Sequence, residues 1–347
     1  MVKRAPFRIG QQTVAPGTRR TVDLPVSVMS DHTPVTMSTH VIHGRRDGPV
    51  VFVSAGVHGD EIIGVEIVRR LLRMPSLKSL RGTLVAVPIV NAFGFLSNSR
   101  YLPDRRDLNR CFPGTEGGSL ASRLAHIFMD EIVARCDLGI DLHSAAVHRT
   151  NMPQIRISPN NRETFRLARV FGAPVILYSR LREGSLRAAA KESGVDVLLY
   201  EAGEALRFDE MAVRAGVSGI LRVLRDRQML PSKGISKPRR KSLVSISSRW
   251  LRAPQGGLLR SFKSEGDMVE AGETLAVVSD PFGEVEIPVD ADRAGLIVGR
   301  TVFPSVNEGD ALFHVAQVAD TDDAEETLEF LSTQLEEDPL FDEDAII

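Results

Sequence analysis

Aromatic residues are scarce: Phe, Trp and Tyr together make up 5% of the 347 residues. A surface that stacks the bases of RNA or single-stranded DNA needs such rings, so this composition argues against one. An excess of charge is missing too. The formal net charge is −2, which leaves no global basic field for nucleic acid. The two cysteines, Cys111 and Cys136, are too few for a disulfide framework or an all-thiolate metal site, and their use fits a reducing cytosol. No apolar run approaches the roughly 20 residues of a membrane-spanning helix. The N-terminal MVKRAPFRIGQQ lacks the apolar segment of a signal peptide. The expectation is a cytoplasmic protein with no membrane or nucleic-acid partner.

What remains is an ordinary globular composition, 43% hydrophobic and 25% charged, on a chain long enough to favour two domains. Residues 1–45 alternate polar and apolar in TVDLPVSVM and VTMSTHVIHG, as antiparallel strands at a sheet edge do. From PVVFVSA (49–55) the texture changes to continuous apolar runs, the mark of buried parallel strands. Similar runs occur in GTLVAVPIVN, DLGIDLHSA, GAPVILYS and VDVLLYEAG. Helical spacing fills the gaps at 61–74, 119–136, 162–172, within SLRAAAKESG, and at 208–229. This alternation predicts an α/β fold, a mostly parallel mixed sheet with helices on both faces, over 1–235. A long polar loop at 92–118 interrupts it, and a loop of that length in a compact domain is usually functional. After the basic linker PSKGISKPRRKS (231–242), residues 243–318 hold only short β stretches between Gly turns, so a small all-β domain is expected there. Residues 319–347 contain no Lys or Arg and read as a solvated acidic tail with a weak helix near 323–336.

Chemistry concentrates at the strand ends. In AGVHGDE, His58 and Glu61 lie three residues apart between a buried strand and its helix, where ligand sites of open α/β sheets form. An imidazole and a carboxylate at that spacing can share one zinc, although a surface His beside a helix-start Glu is the simpler account of the pair in isolation. His143 closes a second apolar strand, DLGIDLHSA. Two His and a Glu with an open water position make a catalytic zinc set. Asp141, two residues earlier on the same side of the strand, can orient a ligand imidazole. In the long loop, DLNRCFPG (107–114) offers Asn109 and Arg110, an amide and a cationic fork suited to a carboxylate. Glu201 ends the strand VDVLLYEAG. A carboxylate after four apolar residues is unlikely core material, and beside zinc it can take a proton from water.

GVHGDE, DLNRCF, DLH and EAG, in this order, resemble the succinylglutamate desuccinylase/aspartoacylase family, relatives of the zinc carboxypeptidases. The resemblance covers roughly 45–230. It implies a zinc-carboxypeptidase-like fold and one Zn2+ per chain held by His58, Glu61 and His143. It also implies Glu201 as general base and Asn109 and Arg110 on the carboxylate of a small N-acyl substrate. By the same resemblance an arginine upstream of the Asn-Arg pair serves the oxyanion. Arg100 is the choice, with Arg105 and Arg106 as rivals, and Arg187 resembles a further carboxylate-binding arginine. The implied activity is zinc-dependent hydrolysis of the amide of an N-acyl amino acid. Two alternatives stay open: a metallocarboxypeptidase acting on peptides, and a non-catalytic binding protein on the same fold.

Residues 243–318 resemble a biotinyl/lipoyl-like barrel-sandwich domain. The hairpin tip SDPFGEVEIP carries no Lys, so neither biotin nor lipoate is expected. A covering or oligomerisation role suits such a module, and a homo-oligomer is left open.

Overall fold

Three buried strands set the frame. Arg46–Ala55, Leu138–Ala145 and Asp196–Glu204 lie side by side and parallel, with Val51 opposite Leu138, and His143 opposite Glu201. Their carboxyl ends therefore open on the same edge of the sheet. The computed structural model describes residues 4–232, 234–238, 240–318 and 324–341. Side chains alternate across the sheet as the two-residue period demands. Val51, Val53 and Ala55 face one apolar core, while Phe52 faces another. Helices Ile63–Arg73, Arg162–Phe171 and Glu210–Asp226 cover the first face, and Leu120–Glu131 and Leu186–Glu192 the second. All of these helices except Ile63–Arg73 start where a capping side chain satisfies free N–H groups; Asn161, for example, accepts from Glu163 and Thr164, and Ser185 from Ala188. Beyond Arg46–Ala55 the sheet continues through Arg81–Val87 and Pro34–His43 to Thr18–Val28. Pro34–His43 and Thr18–Val28 pair antiparallel, with Thr18–Val28 at the edge, as their alternation predicts, and Phe7–Ile9 and Gln12–Val14 form a small hairpin of their own.

One strand escapes sequence reading. Arg149–Ile157 pairs antiparallel with Asp196–Glu204 and parallel with Val175–Tyr178. Its Pro153 sits where the register shifts, between the pairings Glu201–Gln154 and Gly203–Asn151. A bulge is one place in a sheet that tolerates proline.

The expected separate C-terminal domain is corrected by the structure. Strand Leu243–Arg252 pairs in parallel with Val175–Tyr178, and Gly295–Thr301 pairs antiparallel with Arg149–Ile157. With Ala311–Val318 between them, these strands close a five-strand barrel embedded in a sheet of twelve strands among the described residues. The physical reason is a shared core. Met152, Val175 and Leu177 pack with Leu296, Val298, Ala316 and Val318, and detaching the C-terminal strands would expose both halves as well as an unpaired strand edge. Four other C-terminal strands, Gly257–Ser261, Thr274–Ser279, Glu286–Asp290 and Ser305–Val306, form a separate sheet over a smaller cluster that includes Leu275, Val278, Leu312 and Phe313, while Met268–Val269 ends the large sheet beside Gly295–Thr301. The biotinyl/lipoyl-like rhythm of the sequence thus reports local turns and not an independent unit.

The weak helix expected near 323–336 is present as Ala324–Glu336. It is docked: Leu335 and Phe341 are buried in the first core, and Arg214 donates to the Leu335 carbonyl at 3.3 Å. Residues 319–323 and 342–347 of the expected tail lie outside the described residues. No helix among the described residues is long and apolar enough to cross a membrane.

Candidate active site

The chain leaves strand Arg46–Ala55 through Gly56, at φ +62°, and turns back to start helix Ile63–Arg73. Within this turn a Cβ on Gly59 would stand 1.9 Å from the carbonyl carbon of Gly94. Only glycine lets the two backbones meet, and that approach fixes the loop bearing His58 and Glu61. Strand Leu138–Ala145 brings His143 against them. His58 Nδ1 lies 2.6 Å from Glu61 Oε1 and His143 Nδ1 lies 2.7 Å from Glu61 Oε2. All three residues are buried, and their candidate ligand atoms lie within 4.8 Å of one another.

The far side of each imidazole settles its protonation. His58 Nε2 meets Asp107 Oδ1 at 3.1 Å and His143 Nε2 meets Asp141 Oδ2 at 2.8 Å. An ionised carboxylate only accepts, so both Nε2 atoms carry a proton; the Nδ1 atoms, held against Glu61, carry one as well, which a bound cation would displace to leave neutral rings with their Nδ1 lone pairs inward. Two lone pairs and the Glu61 carboxylate then converge in a buried space, an arrangement that calls for a cation. Two imidazole nitrogens, one carboxylate and carboxylates behind both rings are the donor set of a catalytic zinc. The residues fit a single zinc ion per chain. Electrostatics agree. Burial alone would raise the Glu61 pKa, yet His58 and His143 hold it well below the usual carboxylate range. Burial would lower His143, but Asp141 and Glu61 push it well above an ordinary imidazole.

The structure places Arg100 at this cluster. Its Nη1 is 3.2 Å from Glu61 Oε1 and its Nη2 is 2.9 Å from Asp107 Oδ2. The rivals Arg105 and Arg106 are exposed and line no part of the cavity, and Arg106 faces Asp104 at 3.7 Å. Asn109 lines the cavity, with its side-chain oxygen accepting from the backbone N–H of Leu186 at 2.9 Å. Arg110 is exposed at the rim. Arg187 reaches the Arg156 carbonyl and Ser179 Oγ, both at 3.3 Å, and burial together with Arg156 lowers its pKa to about 10. Glu201 stands beside His143 on the neighbouring strand, held by Asn151 Nδ2 at 3.1 Å and Arg156 Nη1 at 3.2 Å. These side chains surround one cavity of about 430 Å³.

Sequence reading passed over Asp107. It caps the turn Leu108–Arg110 by accepting from Asn109 N at 2.8 Å while holding both His58 and Arg100. The signal was present, since Asp107 opens the DLNR motif. Also unassigned were Arg149, Asn151 and Arg156 on the bulged strand, and Ser248, Trp250 and His314 on the C-terminal strands, all of which line the cavity. His148 lies outside it, stacked on Phe303 at 4.4 Å.

The catalytic-domain profile of the succinylglutamate desuccinylase/aspartoacylase family matches residues 47–227. The chain belongs to that family. It is 26% identical over 300 residues to the N-alpha-acetyl-L-2,4-diaminobutyric acid deacetylase of Halomonas elongata, covering 80% of this chain and 84% of that one. The fold is similar to that of a succinylglutamate desuccinylase/aspartoacylase from Rhodobacter sphaeroides, with a TM-score of 0.77 at 24% identity over 86% of this chain and 96% of that one. The product-bound ectoine utilization protein EutE (DoeB) from Ruegeria pomeroyi also superimposes with a TM-score of 0.77, at 24% identity over 86% and 94% of the two chains. Family and ligand cluster together make this a zinc-dependent hydrolase of the deacylase type.

The carboxylates behind the imidazoles give a direct test. Asp107→Ala and Asp141→Ala should each weaken zinc binding by about 10–100-fold, because the orienting partner of a ligand imidazole is lost. Competition with a chromophoric chelator measures this. Affinities within twofold of the parent protein in both variants would remove these carboxylates from the metal site.

Proposed function

We propose that the protein hydrolyses the amide bond of a small N-acyl amino acid, with Glu201 as general base. One observation carries this reading: Glu201 lies next to His143 at the mouth of the metal cluster, in a cavity that also holds Arg110, Arg149, Arg182 and Arg187. None of these four guanidinium groups has an acidic side chain within ion-pair distance among the described residues. Bound zinc would supply a Lewis acid for the amide carbonyl and make water far more acidic than it is in bulk.

The remaining steps belong to the chain. Glu201 accepts a proton from the attacking water, oriented by Asn151 and Arg156. Arg100, tied to Asp107, donates to the oxygen that gains charge as the carbonyl carbon becomes tetrahedral. Glu201 then gives its proton to the amide nitrogen as the C–N bond breaks, so the products leave as a carboxylate and an amine. Asn109 spends its oxygen on Leu186, which leaves its amide N–H groups for the substrate's α-carboxylate, alongside Arg110 and Arg187. The size of the cavity favours a small molecule over a long peptide. The Halomonas relative is named for a substrate that has an amine in its side chain. The surplus of guanidinium groups here disfavours such a cation and favours an anion.

In this reading 1–235 carries the catalytic groups and 243–318 walls the cavity, and the protein works in the cytosol, where its two free thiols remain reduced. Self-association is left to sedimentation measurements. The test of the proposal is amine release from a panel of N-acyl amino acids by the zinc-loaded protein. Turnover of at least one member is expected, and a fully zinc-loaded protein inert towards the whole panel would refute the reading.

A further inference from the structure

The wall that the C-terminal strands add to the cavity has a chemistry of its own. Ser248 and Trp250 lie on strand Leu243–Arg252, and His314 lies opposite Trp250 on Ala311–Val318. Trp250, the single tryptophan of the chain, stacks on His314 with ring centres 4.8 Å apart and planes at 8°. The Arg149 guanidinium sits over the Trp250 ring at 5.5 Å. His314 is 8% exposed, and its Nε2 pairs with Ser248 Oγ at 2.9 Å. Its Nδ1 is buried with no hydrogen-bond partner among the described residues. A buried polar atom left unpaired is destabilising, and such an atom beside a cavity calls for an explanation.

Charge sharpens the picture. Burial, aided by Arg156, lowers the His314 pKa to about 3, so the ring is neutral at working pH. The Ser248 hydroxyl can donate to Nε2, and in that tautomer the neutral ring presents Nδ1–H as a donor. Around it stand Arg149, with no acidic partner among the described residues, and Arg156, whose only acidic partner within ion-pair distance among the described residues is Glu201. A donor N–H flanked by guanidinium groups, one of them held over the indole ring, suits a carboxylate.

We infer that Arg149, Trp250 and His314 form a second anion subsite, which takes a carboxylate of the substrate other than the one held by Asn109 and Arg110. The inference deepens the proposed function and rests on it for the placement of the first carboxylate. The second carboxylate belongs either to the acyl group or to the amino-acid side chain. Glutarate and butyrate, which have no amide to hydrolyse, separate the subsite from the activity.

Calorimetry on the zinc-loaded full chain should give a glutarate affinity at least about tenfold above that of butyrate, the scale of one charge-assisted hydrogen bond. Arg149→Ala and His314→Phe should each erase most of that preference and leave butyrate binding unchanged. Phenylalanine keeps the stack on Trp250, and Arg149 is half-exposed, so its variant carries the test even if the core substitution unfolds the protein. Equal affinity of the parent protein for the two acids, or a preference that survives both substitutions, overturns the subsite. A preference lost in the variants of a protein that hydrolyses no amide leaves the subsite standing and removes the proposed activity. Comparing kcat/KM for N-acetyl-L-glutamate and N-succinyl-L-alanine with that for N-acetyl-L-alanine then assigns the second carboxylate to one half of the substrate. A gain of about tenfold or more in one of the two supports the subsite, and no gain in either overturns it.

Discussion

His143→Ala should yield a protein that cannot retain zinc through dialysis and has lost at least about 10⁴-fold in kcat/KM, since water without the metal is far too weak an acid to yield hydroxide near neutral pH. The substitution removes one of three ligands from a site where all three are buried. It also strips Asp141 of its Nε2–H partner. Ser54 Oγ still donates to Asp141 at 2.7 Å, so part of the pairing of this fully buried carboxylate survives. A stability loss of about 1–3 kcal/mol is expected alongside the loss of metal. Zinc should therefore be counted by atomic spectroscopy on folded material isolated by gel filtration. Full zinc occupancy in folded His143→Ala would mean that the metal lies elsewhere.

The second large effect is at Glu201. Glu201→Gln keeps the volume of the side chain and an oxygen for Asn151, but cannot accept a proton. kcat should fall by about 10²–10⁴-fold, the usual contribution of a general base. Zinc content and KM should change little, because the residue is placed on the proton path and not among the ligands. This split distinguishes Glu201 from His143, where metal and rate are lost together. A glutamine variant within about tenfold of the parent kcat would assign proton transfer to another group.

Much of this site was legible in the sequence, for a physical reason. Parallel strands buried on both faces read as unbroken apolar runs, so PVVFVSA, DLGIDLHSA and VDVLLYEAG announced themselves, and a polar residue at the end of each run stood out. His58, His143 and Glu201 were found in that way. Asp107 was harder because a loop offers no periodicity against which a polar residue looks out of place. Arg149 and Asn151 were hidden because RTNMPQIRI mixes polar side chains with a proline, and its strand character comes from partners on both sides that are distant in sequence. The same cause underlies the corrected C-terminal domain. Gly turns are local and visible, whereas the pairing of Leu243 with Val175 is not. Nothing local in the sequence reveals that the strand bearing His314 closes onto the catalytic cavity.

The barrel closure constrains how such a chain can be inherited. Had the C-terminal strands formed a detachable cassette, recombination could exchange them freely and trade one cavity wall for another. Here the Arg149–Ile157 strand bonds on one side to the strand bearing Glu201 and also to Gly295–Thr301. A foreign C-terminal segment would have to match its register as well as the apolar surface of Met152, Val175 and Leu177. Exchange of this wall as a unit is therefore disfavoured, and substitutions on strands already in place are the less disruptive way to reshape that side of the cavity.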